Sequence, residues 1–360
     1  MYTHSNRSKR SYQKGKTSRN LKGDFVQTNF RYVIDPNFKC DLSHSDTLVP
    51  WKYVKVVLFT PDDEYRCPIC LETPSAPKIT SCGHIFCYPC LIHLFSGYDI
   101  KQTSEIISNL EYQSCPMCNQ EISLSLIKMV DIMRLPQRNI GEYCEFILLK
   151  KSKFGTIPLF PDNEDSDTLP YYSESHSCYS RFQLLDPAVP EKGYFGAEVS
   201  LLKREKIQVL SAMEFVDKSE QLYYQLALES TVCRLEILHD CLEDHSWGEK
   251  KYHQYNFNSN DKKKKEQRNR NKISNMRYFY FYQDQSGKKL FIHPSSQRQL
   301  VQKYGSFDSC PKIIQCKIES IIDIEVTNQS KNEFKLISHL PNSSSCQLCT
   351  IHIEQNFISF

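Results

Sequence analysis

The sequence predicts a multidomain α+β protein in which a cysteine-rich metal module is inserted between β-rich segments. A helical region and a β-rich C-terminal domain follow the module. Three observations predict this arrangement. Eight cysteine and histidine residues within 67–118 stand in four closely spaced pairs. Apolar residues recur with the period of a strand before and after this block, and a stripe with helical spacing lies between the two β-rich parts.

The length and the changes of pattern divide the chain into segments. Its 360 residues are enough for two or three domains, and a hydrophobic content of 40% suffices for packed cores. The predicted segments are a disordered basic arm at 1–23, an N-terminal β segment at 24–63, the metal module at 64–124, a β/loop segment at 125–195, a helical region at 196–246, a basic linker at 247–275 and a β-rich C-terminal domain at 276–360.

Charge is distributed unevenly along the chain. The formal net charge is +3, yet residues 1–23 contribute +7 and residues 261–272 contribute +5, so the remainder is net acidic. Lysine-rich segments neutralise phosphates without sequence preference, which makes an RNA contact one interpretation. For the run Lys262–Lys265 a solvated linker is the preferred interpretation, and contact with RNA is the second.

The β-rich segments are identified by alternation and by turn residues. In "WKYVKVVLF" the residues Val54, Val56 and Leu58 alternate with Lys55 and Val57, and "FRYVI", "EFILLKK" and "FGTIPLF" are further predicted strands. Two apolar runs around Gln285-Ser286-Gly287 predict a hairpin. The runs "PKIIQCKIESIIDIEV", "FKLISHL" and "SCQLCTIHIE" continue the β pattern toward the C-terminus.

The helical region carries one apolar stripe. Asp217 and Ser219 are suitable start signals. We expect this helix to pack within its own chain; a coiled-coil dimer is the alternative, but the heptads are few. The stripe consists of Leu228, Val232, Leu235, Leu238 and Leu242.

The metal module presents its ligands as short turns. A Cys-x2-Cys turn brings two thiolates within reach of one tetrahedral Zn²⁺, and eight ligands fill two closed sites with no position left for water. The sequence therefore predicts two structural zinc ions. The eight residues are Cys67, Cys70, Cys82, His84, Cys87, Cys90, Cys115 and Cys118.

These motifs resemble a C3HC4 RING finger. The resemblance rests on "CPIC" at 67–70, "CGH" at 82–84, "IFCYPC" at 85–90 and "CPMC" at 115–118. It implies an interleaved cross-brace of two zinc sites. One zinc would be held by Cys67, Cys70, Cys87 and Cys90, and the other by Cys82, His84, Cys115 and Cys118.

RING fingers are typically E3 ubiquitin ligases, which carry no nucleophile of their own. They dock a ubiquitin-charged E2 enzyme and hold its thioester ready for a substrate lysine, so the resemblance implies E2 and ubiquitin as partners. The implied docking residues are Ile69, Tyr112 and Pro116. The alternative for each is a core or loop residue, and Ile69 alone does not favour docking, whereas the three together do.

Asn119 stands where many RING fingers carry an arginine that contacts both E2 and ubiquitin. Asparagine is shorter and uncharged, although it offers two donors and one acceptor. This position therefore leaves two functions open, a ligase and a module that only binds.

A wider resemblance covers most of residues 24–355, with gaps in 150–260. "FRYVID", "PWKYVKVVLF", "APKITSCGHIFCYPCLIHLFS" and "YFYFYQDQSGKKLFIHP" are similar to the RING finger protein ten family. That resemblance implies a ligase for small-subunit ribosomal proteins on stalled ribosomes. The alternatives are a zinc-dependent scaffold without transferase activity, and an RNA- or DNA-associated regulator in which the RING serves dimerisation.

Compartment and further metal sites are inferred from cysteine usage. The N-terminus lacks the apolar stretch of a secretory signal, and no run is long enough to span a membrane, so we expect the protein in the cytosol or the nucleus. Sixteen cysteines in a reducing compartment indicate metal before disulfides. A third metal held by Cys310, Cys316, Cys346 and Cys349 is the less favoured interpretation, and core cysteines are preferred.

Overall fold

The computed structural model describes residues 30–35, 38, 44–61, 63–96, 112–153, 155–162, 169, 179–185, 197–243 and 278–353. The predicted basic arm and the basic linker lie outside the described residues. The described strands are β1 (Arg31–Ile34), β2 (Val54–Phe59), β3 (Pro77–Ile79), β4 (Ile85–Cys87), β5 (Tyr112–Ser114), β6 (Glu121–Ser123), β7 (Lys128–Ile132), β8 (Tyr143–Ser152), β9 (Phe182–Leu184), β10 (Tyr278–Asp284), β11 (Leu290–Ile292), β12 (Ile313–Glu325) and β13 (Ser345–Ile351).

The described α-helices are α1 (Tyr88–Ser96), α2 (Ala197–Met213), α3 (Gln221–Glu243), α4 (Pro294–Tyr304) and α5 (Asn328–Glu333). Short 3-10 helices occupy Trp51–Tyr53, Leu124–Leu126, Phe307–Ser309 and Lys335–Ile337. In this part of the chain no helix is both long enough and apolar enough to cross a membrane.

A six-stranded sheet joins the metal module to the segments on either side of it. Its strand order is β4-β3-β7-β2-β1-β9, so β3 and β4 of the module pair through β7 with β2. The domain limits predicted at 63/64 and 124/125 stay predictions. Backbone hydrogen bonds of this sheet join residues on the two sides of each limit. The cysteine-rich module is therefore held at one end of a larger sheet.

Strand β2 is buried more completely than its alternation suggests. Val54 and Val57 pack in the core on one face of the sheet, and Val56 and Leu58 pack with Leu201 of α2 on the other. Val57 is therefore not a solvent-facing residue, contrary to its place in the predicted alternation. The reason is that α2 covers the second face, so both faces of β2 are buried.

The second body is a closed barrel with the strand order β10-β11-β13-β12-β8. The predicted hairpin is confirmed, because β10 and β11 pair antiparallel around the turn. Strand β8 comes from the segment before the helical region, yet it pairs with both β10 and β12. Residues on both sides of the helical region thus complete one barrel core.

Two predicted strands are not formed. "FKLISHL" is a 3-10 helix at Lys335–Ile337, because Leu336 and Ile337 are both buried at the end of the barrel, which a one-sided strand cannot achieve with consecutive residues. "FGTIPLF" contributes a single bridge between Leu159 and Lys150. The C-terminal region also contains helix α4, which the alternation of apolar residues did not predict. Two boundary signals were present in the sequence: Pro294 in the first turn, and Gly305, at φ 87°, directly after the last turn.

The cysteines considered above as a third metal site, Cys310, Cys316, Cys346 and Cys349, do not form a metal group. Cys346 and Cys349 are three residues apart on β13 and pack in different core clusters, because an odd spacing puts them on opposite faces of the strand. Among the residues that the structure describes, metal-ligating side chains gather in two groups only, neither of which includes these cysteines. Burial raises the pKa of Cys346 to about 11, so it is a neutral core thiol.

Helices α2 and α3 form an antiparallel pair that packs on the module. Helix α3 contacts α1 as well as α2, so it packs within its own chain as the sequence indicates. Its best buried side chains are Tyr223, Tyr224, Ala227 and Thr231, whereas the predicted stripe from Leu228 to Leu238 is half-buried. Leu242 has no described side-chain surroundings.

His339 gives the barrel a specific acid sensitivity. The ring stacks on Phe281 with centroids 5.4 Å apart, and burial, aided by the charge of Lys151, lowers the pKa of His339 to about 3. An unfolded histidine titrates near pH 6.5, so the unfolded chain binds the extra proton between these values. This contribution to stability is present above about pH 6.5 and declines as the pH falls toward 3.

We expect His339→Leu to lessen the loss of barrel stability on acidification. Between pH 7 and pH 5 the wild type should lose about 2 kcal/mol through this one residue, and the variant should not. Hydrogen exchange of β10 and β13, corrected for intrinsic rates, measures this difference. His352→Leu, on an exposed ring, is the control, and equal pH dependence in all three proteins would contradict the assignment.

Candidate metal centre

The first group of candidate ligands comes from one short turn, the end of strand β4 and helix α1. The four sulfur atoms of this group all lie within 4.8 Å of one another. The Sγ atoms of Cys70 and Cys87 are 3.7 Å apart. Four thiolates around Zn²⁺ at ~2.3 Å give sulfur separations of about 3.8 Å, so the donor set fits tetrahedral zinc. The members are Cys67, Cys70, Cys87 and Cys90.

The second group contains the histidine. Nδ1 of His84 lies 3.4 Å from Sγ of Cys82 and 3.5 Å from Sγ of Cys115. Zinc bonds of ~2.0–2.1 Å to nitrogen and ~2.3 Å to sulfur give nitrogen–sulfur separations of about 3.5 Å. This group therefore fits zinc with Nδ1 as the ligating atom. Its members are Cys82, His84, Cys115 and Cys118.

The β3–β4 hairpin connects the two groups. Its turn carries Cys82 and His84 of the second group, and Cys87 of the first group ends β4. Phe86 between them is fully buried and shares one core with ligands of both groups. The ligands thus interleave along the chain, and their grouping has the membership that the RING resemblance implies.

The two Cys-Pro-x-Cys turns repeat one backbone geometry. The N–H of Leu71 donates to Cys67 O at 2.8 Å, and the N–H of Asn119 donates to Cys115 O at 2.8 Å. Both residues have positive φ, 64° for Leu71 and 57° for Asn119. Asparagine tolerates this left-handed conformation better than most residues, so the turn itself favours the asparagine at 119.

Proximity of the thiols explains why the sites require a cation. Contact with neighbouring thiols, that of Cys70 most of all, lowers the pKa of Cys67. The same contacts, led by that with Cys67, raise the pKa of Cys87 and Cys90. Four thiolates so close repel one another, and Zn²⁺ supplies the charge that lets all of them ionise.

The predicted partner-docking side chains lie at the surface of this centre. Ile69 is 37% exposed, Tyr112 is 57% exposed, and Pro116 is exposed as well. Sequence reasoning missed Leu71 at 66% and Met117 at 53% exposure. Met117 was detectable, because it occupies in the second Cys-Pro-x-Cys turn the place that Ile69 has in the first.

The back of the module is covered by the helical pair, which sequence reasoning did not anticipate. Lys78 of β3 forms a buried ion pair with Glu205 of α2, with Nζ at 2.7 Å from both carboxylate oxygens. The His93 ring of α1 stacks on Tyr223 of α3 at 4.1 Å. The Tyr88 hydroxyl is 2.9 Å from Oγ of Ser230. These contacts fix α2 and α3 to the module.

The ligand spacing and the geometry define a class of zinc module. Residues 67–118 match the family model described as zinc finger, C3HC4 type (RING finger). This segment is a RING finger with two Cys/His zinc sites, carried within a larger α+β structure.

Curated proteins extend the similarity beyond the RING finger. An uncharacterized RING finger protein of Schizosaccharomyces pombe is 24% identical over 363 residues, which covers 92% of this chain and 53% of that protein. The E3 ubiquitin-protein ligase MAG2 of Saccharomyces cerevisiae is 31% identical over 150 residues, 39% of this chain and 22% of that protein. The E3 ubiquitin-protein ligase RMA1 of Arabidopsis thaliana is 35% identical over 68 residues, 19% of this chain and 26% of that protein.

The chain spans about half the length of the first of these relatives and about a quarter of each of the other two. No solved structure matches the chain. The similarity therefore covers most of this chain in one relative and a shorter part of it in the other two.

Proposed function

We propose that this protein is a RING-type E3 ubiquitin ligase that docks a ubiquitin-charged E2 and promotes transfer of ubiquitin to substrate lysines. The observation that carries the proposal is the set of exposed apolar side chains on the zinc-bound turns. Ile69 and Pro116 each lie between a buried and a half-buried cysteine ligand in the sequence, yet both side chains face solvent. Rigid turns with exposed apolar tips suit the docking of a partner protein.

The chemistry follows from the closed zinc sites. Each group of four ligands would fill the coordination of one zinc ion, so neither site would leave a position for water or substrate. The ligand residues would hold the turns in place around the metal, and the bound E2 would supply the thioester. Attack by a substrate lysine is then accelerated by orientation of the reactants, without a nucleophile from this chain.

The relatives support the same function. MAG2 and RMA1, each similar to a part of this chain, are both named E3 ubiquitin-protein ligases. The relative from Schizosaccharomyces pombe is named an uncharacterized RING finger protein.

Transfer is tested by discharge of an E2–ubiquitin thioester onto free lysine in the presence of the purified, zinc-loaded chain. We expect wild type to accelerate discharge and Ile69→Ala to reduce the acceleration at least tenfold, since truncating a central apolar anchor typically costs over ~2 kcal/mol of binding. Ile140→Ala, at an isoleucine that is 64% exposed outside the RING finger, is the matched control. Equal discharge by Ile69→Ala and wild type would remove Ile69 from the docking surface.

Asn119→Arg separates a weak ligase from a pure scaffold. Arginine restores a cation with five donors at the exposed position, at a cost of roughly 1–2 kcal/mol for its left-handed backbone. Activity in wild type means that Asn119 suffices. Activity in Asn119→Arg alone means that the native RING docks E2 and requires a partner for priming. Inactivity of every version across a panel of E2 enzymes would favour the scaffold.

The finer assignment rests on the sequence resemblance alone. As a member of the RING finger protein ten family, the protein would act in the cytosol on small-subunit ribosomal proteins. Its basic segments would contact ribosomal RNA in a salt-dependent manner. Co-sedimentation with small ribosomal subunits at two salt concentrations, with and without residues 261–272, tests this assignment.

A further inference from the structure

A large cavity lies where the six-stranded sheet meets the barrel. Its volume is about 730 Å³, within the range of ~300–1,000 Å³ that is usual for ligand sites. One wall comes from the sheet and the loop that leads into the RING finger, including Phe59 and Tyr65. The other wall comes from the barrel, including Gln283, Lys288 and Gln347.

Several hydrogen bonds hold the walls of this cavity together. The Tyr179 hydroxyl donates to Gln285 O at 2.8 Å, and Nζ of Lys331 donates to Oγ of Ser45 at 2.8 Å. The backbone N–H of Asn342 adds a bond to Asp46 at 2.7 Å. The cavity is thus preformed between fixed elements, which lowers the entropic cost of binding.

The barrel wall contains buried amide oxygens without donors. Gln283 is 3% exposed, and its Nε2 donates to Lys288 O at 3.0 Å. Nε2 of Gln347 donates to Asp323 Oδ1 at 2.9 Å. These two bonds fix both amide orientations, because only the NH₂ group can donate to a carbonyl or a carboxylate. Neither Oε1 receives a hydrogen bond from any residue in the described ranges.

Both oxygens are themselves buried, so a donor from the cavity reaches them once the glutamine side chains turn toward it. An unpaired buried acceptor costs free energy, so that bond gains more than an ordinary surface hydrogen bond. The two oxygens require N–H or O–H groups. The lining also carries both signs of charge, with Arg31, Arg181 and Lys288 against Asp63 and Asp323. A polyanion such as RNA prefers a uniformly basic surface, whereas this mixed wall suits a chain with its own N–H groups, carbonyls and side chains.

We propose that the cavity between the sheet and the barrel is a docking site for an extended peptide segment, with Oε1 of Gln283 and of Gln347 accepting N–H donors of that peptide. The peptide lies between the two β bodies and contacts the aromatic residues of the sheet wall. The assignment of the cavity as a peptide site is independent of the proposed function. Its further assignment as the substrate-recognition site of a ligase rests on that proposed function.

The position of the cavity fits a role in presenting a substrate. Tyr65 lines it, and a single residue separates Tyr65 from the zinc ligand Cys67. The Tyr65 hydroxyl also donates to Ile85 O at 2.8 Å, which fixes this part of the lining to strand β4 of the RING finger. A segment held in the cavity is therefore close to the surface where we propose that the charged E2 docks.

The test uses the full, zinc-loaded chain as bait for a phage library of random short peptides, followed by fluorescence anisotropy of the enriched peptides. We expect a recurring motif among them. The Gln283→Met/Gln347→Met variant should bind these peptides roughly tenfold more weakly, since each lost acceptor leaves a peptide N–H unpaired. Its thermal midpoint should stay near that of wild type, because the change also removes two unpaired buried oxygens.

Two further variants keep the result interpretable. Gln302→Met changes an exposed glutamine of α4 outside the cavity and should bind as wild type does. Lys288→Glu changes a half-buried lining residue and should weaken the binding of peptides selected for acidic side chains, so the test survives if the double variant misfolds.

Enrichment of no peptide, or equal binding by wild type and the folded double variant, would overturn the proposal. Labelled oligouridine that binds wild type and loses affinity in the double variant would reassign the cavity to RNA and overturn the peptide assignment as well. Peptide binding without E2 discharge would leave the peptide site standing and remove its ligase role. Discharge without peptide binding would remove the site and leave the proposed function intact.

Discussion

Glu205→Gln should release helix α2 from the RING finger. The variant leaves Lys78 charged and buried, with side-chain exposures of 8% for Lys78 and 6% for Glu205 in the native pair. Removing one partner of a buried ion pair costs roughly 3–5 kcal/mol, because the remaining charge has lost its counter-ion inside the protein. Hydrogen exchange of α2 and α3 measures this as a fall in the free energy of local opening.

The same helix offers a matched control. Glu198 of α2 pairs with Arg234 of α3, whose side chain is 51% exposed. Exposed pairs contribute about 0–1 kcal/mol, so Glu198→Gln should change the opening free energy little. The double variant Lys78→Met/Glu205→Met removes both charges and should recover most of the loss. Equal effects of the two glutamate variants would show that the buried pair does not hold α2 in place.

Removal of zinc should unfold the RING finger and leave the barrel folded. The ligands of both groups share one core with Phe86 and Phe95, so the module loses its packing together with its metal. The barrel strands have core clusters of their own that contain no zinc ligand. We therefore expect chelation to abolish exchange protection in β3, β4 and α1, while β10 and β12 stay protected.

Substitution of a single ligand tests the same dependence on zinc through the number of zinc ions bound per chain. Wild type should bind two zinc ions per chain, and Cys115→Ser should bind one or none, because the interleaved hairpin couples the sites. Cys233→Ser, at an exposed cysteine of α3, is the control and should bind two. Protection of α1 that survives chelation would mean that the sheet and α3 suffice to fold the module.

Local patterns were enough where function depends on chemical identity and spacing. The four ligand pairs predicted two groups of four, and the hairpin at Gln285-Ser286-Gly287 was identified from its turn residues. The patterns were insufficient where burial overrides alternation. "FKLISHL" has the apolar content of a strand, but Leu336 and Ile337 are both buried in one core cluster against the barrel strands, so the chain forms a 3-10 helix there.

Long-range pairing was beyond the reach of the sequence. The local sequence shows Lys78 only as a polar residue of a short strand. It shows Glu205 only as one of several charged residues of a helix. Their contact spans 127 residues and depends on how α2 crosses the sheet. The membership of β8 in the barrel is of the same kind, since its partners β10 and β12 follow the helical region.

The sequence by itself determined the zinc chemistry of this protein, because a Cys-x2-Cys turn places its two thiolates through local backbone geometry alone. Only the tertiary structure decided how the RING finger is supported, through a shared sheet and a buried ion pair. It alone revealed the cavity beside the barrel with its unpaired amide oxygens. These features arise from the packing of distant segments, and packing depends on shape and burial that no local pattern records.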